Sequence, residues 1–255
     1  MLFGGRRALT DAAVGVVLAI VCVLMVGVAT SRLWITDPHL VLLLSYLAVW
    51  VPLAGAVVAA GFLRGSWGGI RSLARSLGLR VRPLDLLWGL TIGLLARVVA
   101  SVLEIALYGR MATGGVVLGV PVHDGWWVFG ALLAPVLVAP VVEEVFFRGL
   151  LLRAVEGATD AASASASASA SASASAGGSR AVSLGIAVVV SGAVFALVHV
   201  LPAGSASEVA VVGLSTFVFG VGAGCVAAFT GRLGGAIIAH VTFNALVVVP
   251  AVLGF

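Results

Sequence analysis

The sequence predicts an all-α protein, a polytopic bundle of about seven transmembrane helices. Composition is the first observation behind this: of 255 residues, 62% are hydrophobic and only 9% charged, against roughly 45–50% and about 25% in an average soluble domain. Mean hydropathy is +1.23. No soluble globule of this size hides that much apolar surface, so a soluble enzyme, a disordered chain and a nucleic-acid-binding domain are excluded. The second observation is that seven apolar runs reach the ~20 residues a bilayer demands. The third is that none alternates apolar and polar residues as a barrel strand would, so the spans must be helices that satisfy their own backbone.

In chain order the predicted spans cover roughly residues 12–30, 40–63, 84–109, 126–156, 182–201, 209–230 and 234–254. The first follows Arg6 and Arg7, but its apolar run exceeds the 7–15 residues typical of a signal peptide, so it reads as a span. With the N-terminus in the cytoplasm, eleven arginines fall on the cytoplasmic side, two (Arg32 and Arg110) fall outside, and Arg97 lies within a span. This bias orients the bundle with its N-terminus inside. Trp34, Trp126 and Trp127 then sit at the outer interface. Size and the use of arginine without lysine point to a bacterial plasma membrane. Cys22 and Cys225 lie in apolar runs and read as small core residues.

Two connections stand out. Residues 64–82 carry Arg64, Arg71, Arg75, Arg80 and Arg82 and read as a topology determinant attracted to anionic headgroups. Residues 163–176 are seven Ser-Ala pairs followed by Gly177 and Gly178. Having little to bury, the tract 163–178 is expected to be a flexible linker.

Ionisable groups at membrane depth are costly and mark function. The fourth span carries Glu143, Glu144 and Arg148. Glu144 and Arg148, four apart, share a face and can pair. Glu143 points about 100° away and remains free for acid–base work. The fifth span carries Phe195 and His199, and the seventh His240 and Asn244, each pair again four apart. Together these groups suit peptide hydrolysis: a Glu beside a His deprotonates water, and a His and an Asn donate to an oxyanion. Glu143, His199 and His240 also form a candidate zinc set with room for a water. The residues alone leave both mechanisms open. Arg97 and Glu104, seven apart, face one side of the third span as an ion pair, and Gly220 and Gly224 permit close helix packing. A site-2-type His-Glu-x-x-His, a rhomboid-type Gly-x-Ser-Gly and a pair of intramembrane aspartates are all missing from the sequence.

In these motifs, Glu143-Glu144-x-x-x-Arg148, Phe195-x-x-x-His199 and His240-x-x-x-Asn244, the chain resembles the CPBP family of intramembrane proteases, also called the type II CAAX prenyl endopeptidase or Abi family. The resemblance covers about residues 126–250. It implies a division into N-terminal helices over 1–125, the family's variable part, and a catalytic core over 126–255. It further implies that Glu143 and His199 activate water, His240 and Asn244 stabilise the oxyanion, and Glu144 and Arg148, with Phe195, support the site. Family members are commonly called metalloproteases, which makes zinc the expected cofactor beside a metal-free glutamate mechanism. The implied partners are membrane lipids and a membrane-associated or prenylated protein or peptide, with no nucleic acid. The competing expectation is a non-enzymatic immunity or scaffold protein that binds a partner through the same polar cavity.

Straight helices counted from their cytoplasmic ends place His199 roughly 27 Å deep and His240 roughly 10 Å deep. The sequence therefore predicts tilt, or a break near Gly185, Gly192 or Gly235, and kinks at Pro135 and Pro140.

Overall fold

The computed structural model describes residues 3, 5–62, 69–111, 124–169 and 176–253. Every regular element among them is helical, and seven helices are long and apolar enough to cross a membrane. The protein is an integral, multi-pass all-α bundle. Its spans follow the predicted order: α1 (Arg6–Ser31), α2 (Pro38–Phe62), α4 (Pro83–Tyr108), a long helix over 125–169, α8 (Ala176–Val200), α9 (Ala206–Thr230) and α10 (Gly234–Leu253), with a short α3 (Ile70–Ser76) after α2.

Local chemistry sets the ends. Pro83 opens α4, where its missing N–H costs nothing, and the Asp85 carboxylate accepts the Arg82 N–H at 2.7 Å. Ser205 caps α9 by accepting the Glu208 N–H at 3.2 Å. Gly231, at φ 64°, ends α9 in the left-handed conformation that glycine adopts without penalty. Small residues bring helices close, as lipid-embedded packing requires. On α1 the buried stripe Ala8, Ala12, Gly15 and Ala19 faces α2, and a Cβ on Gly15 would stand 2.6 Å from the Ala56 methyl. Gly192 on α8 and Gly220 on α9 meet so closely that a Cβ on Gly220 would lie 2.9 Å from the Gly192 Cα.

The helix over 125–169 departs from regular α geometry. It comprises α5 (Gly125–Trp127), a π-helical segment (Val128–Val138), α6 (Ala139–Glu144), a second π-helical segment (Val145–Leu151) and α7 (Leu152–Ser169). The wide i→i+5 turns absorb Pro135 and Pro140, and the chain runs through both as helix. The Ser-Ala tract, expected as a flexible linker, is helical over 163–169 as the end of α7, and α8 begins at Ala176; residues 170–175 lie outside the described residues. Alanine is the best helix former and serine is tolerated, which is why a tract with nothing to bury still winds. His123, Arg64, Gly65 and Gly68 also fall outside the described residues.

The depth mismatch is resolved without a break. α8 runs unbroken through Gly185 and Gly192 and starts before the apolar run. The α9–α10 turn is sunk into the protein instead. Leu233 is fully buried and donates its N–H to the Gly78 carbonyl at 2.9 Å. Arg232 forms a two-pronged pair with buried Asp85, at 2.6 and 3.1 Å. The segment after α3 covers this turn, and Leu77 packs beneath Gly149. Arg153 reaches back to donate to the Ser76 and Leu77 carbonyls at the end of α3. The arginine-rich connection is thus partly a floor for the site helix as well as a charged surface. Arg97 and Glu104 form the expected pair on α4, with contacts of 2.5 and 3.0 Å.

Candidate active site

The fourth, fifth and seventh spans bring Glu143, Glu144, Arg148, Phe195, His199 and His240 together. Glu144 and Arg148 pair across the junction of α6 and the second π segment, at 2.7 Å and with both side chains fully buried. The Arg148 guanidinium also donates to the Gly220 carbonyl at 3.1 Å. It lies 4.6 Å from the Phe195 ring centroid and 5.6 Å from that of Phe219. Burying this cation is tolerable because a carboxylate, a carbonyl and two aromatic faces replace its water. Gly220 is required here, since a Cβ would approach the guanidinium to 3.4 Å as well as striking α8.

Glu144 holds a second partner. Nδ1 of His240 donates to Glu144 Oε1 at 2.9 Å, so the Nε2 edge of this imidazole faces Glu143 Oε2 at 3.9 Å. His199 is fixed in the same manner from a different source: its Nδ1 donates to the Phe195 carbonyl at 2.7 Å. Its Nε2 then lies 3.7 Å from the same Glu143 oxygen. Both tautomers follow from the acceptors at Nδ1. Two imidazole Nε2 atoms from different helices thus converge on Glu143 Oε2, a buried oxygen without a hydrogen-bond partner. Phe195 stacks against His199 at 4.2 Å and meets His240 edge-on at 5.6 Å, while Phe219 covers His240 at 4.7 Å.

Asn244 is placed differently. Its amide donates to the Pro135 carbonyl on the first π segment at 2.8 Å. Ser191, buried on α8, donates to the Phe147 carbonyl at 2.9 Å and ties that helix to the second π segment. The sequence reading missed Phe219, Ser191, and Gly220 as a guanidinium acceptor. Only the small-residue spacing on α9 hinted at any of them.

A cleft of about 710 Å³ opens on one side of Glu143 and His199. Its walls are almost wholly apolar: Val16, Ile20, Val23, Leu24 and Gly27 along α1 face Val198 and Leu201 at the end of α8. Among the described residues no group of three or more His, Cys, Asp or Glu side chains has the arrangement of a metal site. Glu143, His199 and His240 are the residues that would hold a zinc ion, and they turn Oε2 and two Nε2 atoms toward one another at 3.7 and 3.9 Å; such an ion would polarise a bound water.

The bundle spends buried carboxylates, a guanidinium and two imidazoles on one cluster among its apolar helices, and groups so costly to bury there mark a functional site. Residues 125–246 match the family model described as type II CAAX prenyl endopeptidase Rce1-like, which supports the resemblance of this stretch to the CAAX-type endopeptidases. No curated protein and no solved structure matches the chain.

Proposed function

We propose that the protein hydrolyses a peptide bond of a membrane-associated, prenylated or similarly apolar protein or peptide, with Glu143 and His199 activating the water. The observation that carries this is the convergence of two oriented imidazoles on the unpartnered oxygen of Glu143. Gaps of 3.7 and 3.9 Å exceed direct hydrogen bonding and are the kind of polar separation a shared water bridges. Glu143, assisted by His199 Nε2, takes a proton from water as its oxygen attacks the scissile carbonyl carbon. His240, oriented by Glu144 through Nδ1, turns its Nε2 edge to the developing oxyanion, to be stabilised by an N–H there. The intermediate collapses, the carbon–nitrogen bond breaks, and the proton passes to the leaving amine. The products are a carboxylate and an amine.

The cleft supports this substrate class. Its apolar walls offer almost no partner for an extended peptide backbone, which must be hydrogen-bonded in such surroundings. A hydrocarbon chain has no such need. The chain attached to the substrate therefore lies along α1, and the peptide enters only at the Glu143 end. The arginine bias supports an N-terminus on the cytoplasmic side.

The test compares protein N-termini in membranes of host cells lacking this gene, complemented with wild type or with Glu143→Gln at equal expression. New termini present only with the wild type support the reading. Identical termini, with any phenotype rescued equally by both forms, overturn it in favour of a binding or scaffold role.

A further inference from the structure

The stretch from Ile70 to Arg82 joins α2 to α4, two membrane-spanning helices, and so lies at one bilayer surface. Its inward side is tied to the site. Arg153 donates to the Ser76 and Leu77 carbonyls, Leu77 lies beneath Gly149 of the second π segment, and the Gly78 carbonyl accepts the Leu233 N–H at 2.9 Å. Gly149 directly follows Arg148, and Leu233 leads into α10, which carries His240. The outward side is basic. Arg71, Arg75 and Arg80 are exposed, and no Asp or Glu occurs over residues 69–84. The arginine ion pairs among the described residues belong to Arg97, Arg148 and Arg232. Asp85, the first acid after the stretch, is taken by Arg232. Arg71 and Arg75, four apart on α3, share a face, where like charges repel. Apolar side chains stand among and beside these cations: Ile70 is 78% exposed, Val81 68% and Leu84 62%.

A leaflet of anionic phospholipid answers both features, with phosphates for the arginines and acyl chains for the apolar side chains. An acidic protein segment would meet only the first. We propose that Arg71, Arg75 and Arg80 bind anionic phospholipid headgroups of the adjoining leaflet. A headgroup held there presses residues 76–78 onto Gly149 and Leu233, and so steadies the helices that carry Arg148 and His240. By standing between Arg71 and Arg75 it also removes their repulsion, through charge-assisted hydrogen bonds that guanidinium groups form well with phosphate. This docking goes beyond the hydrolytic reading and does not depend on it: the order of the buried cluster follows lipid charge, whatever reaction the cluster carries out.

The test uses the full-length protein in a neutral detergent, titrated with phosphatidylglycerol, phosphatidylcholine or inorganic phosphate. Native mass spectrometry reads the bound lipid, and hydrogen exchange reads the Leu233 amide, which the Gly78 carbonyl holds. Neither readout needs a substrate. Phosphatidylglycerol is expected to bind more tightly than phosphatidylcholine and to slow exchange at Leu233 several-fold. Arg71→Gln, Arg75→Gln and Arg80→Gln are each expected to weaken phosphatidylglycerol binding about five-fold, as one arginine at an anionic surface should. The three together are expected to abolish the slowing. Arg71→Lys with Arg75→Lys and Arg80→Lys keeps the charge and is expected to keep the slowing. The control pair Arg32→Gln and Arg110→Gln, beyond the opposite ends of α1 and α4, is expected to change neither readout. Phosphatidylcholine binding as tightly as phosphatidylglycerol, binding left unchanged by the Gln variants, or an equal loss in the control pair overturns the site. Inorganic phosphate slowing Leu233 as well as phosphatidylglycerol overturns the leaflet as its occupant. Phosphatidylglycerol bound at the arginines with exchange at Leu233 unchanged overturns the clamp.

Discussion

Replacing Arg148 with methionine removes the only guanidinium in the carboxylate cluster while keeping an unbranched apolar stem. Glu144 then stays fully buried with its cation gone, and the Gly220 carbonyl loses its donor. Breaking a buried pair from one side costs about 3–5 kcal/mol, because a charge is left without compensation. For a chain of this size, about 2–4 °C of melting temperature accompanies each kcal/mol, which gives a drop of about 6–20 °C. Differential scanning fluorimetry on the purified protein in detergent reads this directly, since six tryptophans report unfolding. The pair Glu144→Leu with Arg148→Met removes both charges and is expected to recover most of the loss. A remainder of about 1–3 kcal/mol is left, because His240 Nδ1–H loses its acceptor. The double form is expected to be inactive, since Glu144 orients His240. A drop below about 3 °C for the single variant, or a double variant less stable than the single one, refutes the assignment of Glu144 and Arg148 as a charged buried pair.

Other expectations follow the same geometry. Glu143→Gln should abolish cleavage and leave the melting temperature within about 2 °C, because the Glu143 Oε2 atom has no hydrogen bond to lose. Gly78→Ala should destabilise by more than about 2 kcal/mol in the same melting assay, since φ is 71° and the new Cβ would meet the Gly231 carbonyl at 2.5 Å. Gly27→Phe should raise KM several-fold for a lipidated reporter at nearly constant kcat, because a Cβ there meets nothing within 4 Å and the ring projects into the cleft. Cleavage measured after exhaustive chelation should stay within about twofold of the untreated value, as water activation is assigned to Glu143 and His199; loss restored by added zinc would move that role to a metal.

The spans were legible because lipid reduces the choice of backbone to helices and fixes their length. The Glu144–Arg148 pair was legible for a local reason, four residues on one helix. Contacts between helices were not. Nothing in the spacing of His240 and Asn244 shows that one turns to Glu144 and the other to Pro135, because that depends on how α10 sits against the first π segment. The π winding itself was read as kinks, since two prolines five apart announce a disturbed helix without saying whether it bends or widens. The burial of the short connection Gly231 to Leu233 within the protein was not legible either. Its burial is dictated by Asp85 and Gly78, some 150 residues earlier in the chain.

That sunken turn has a bearing on how the protein is made. Helix α10 can dock only where α4 and the stretch after α3 have already formed a berth for Arg232 and Leu233. His240 arrives 96 residues after Glu144, three spans later in the chain. Until then the carboxylates stand in the bilayer without their second imidazole. Arrival of α10 is thereby the event that completes the cluster of Glu143, Glu144 and His240.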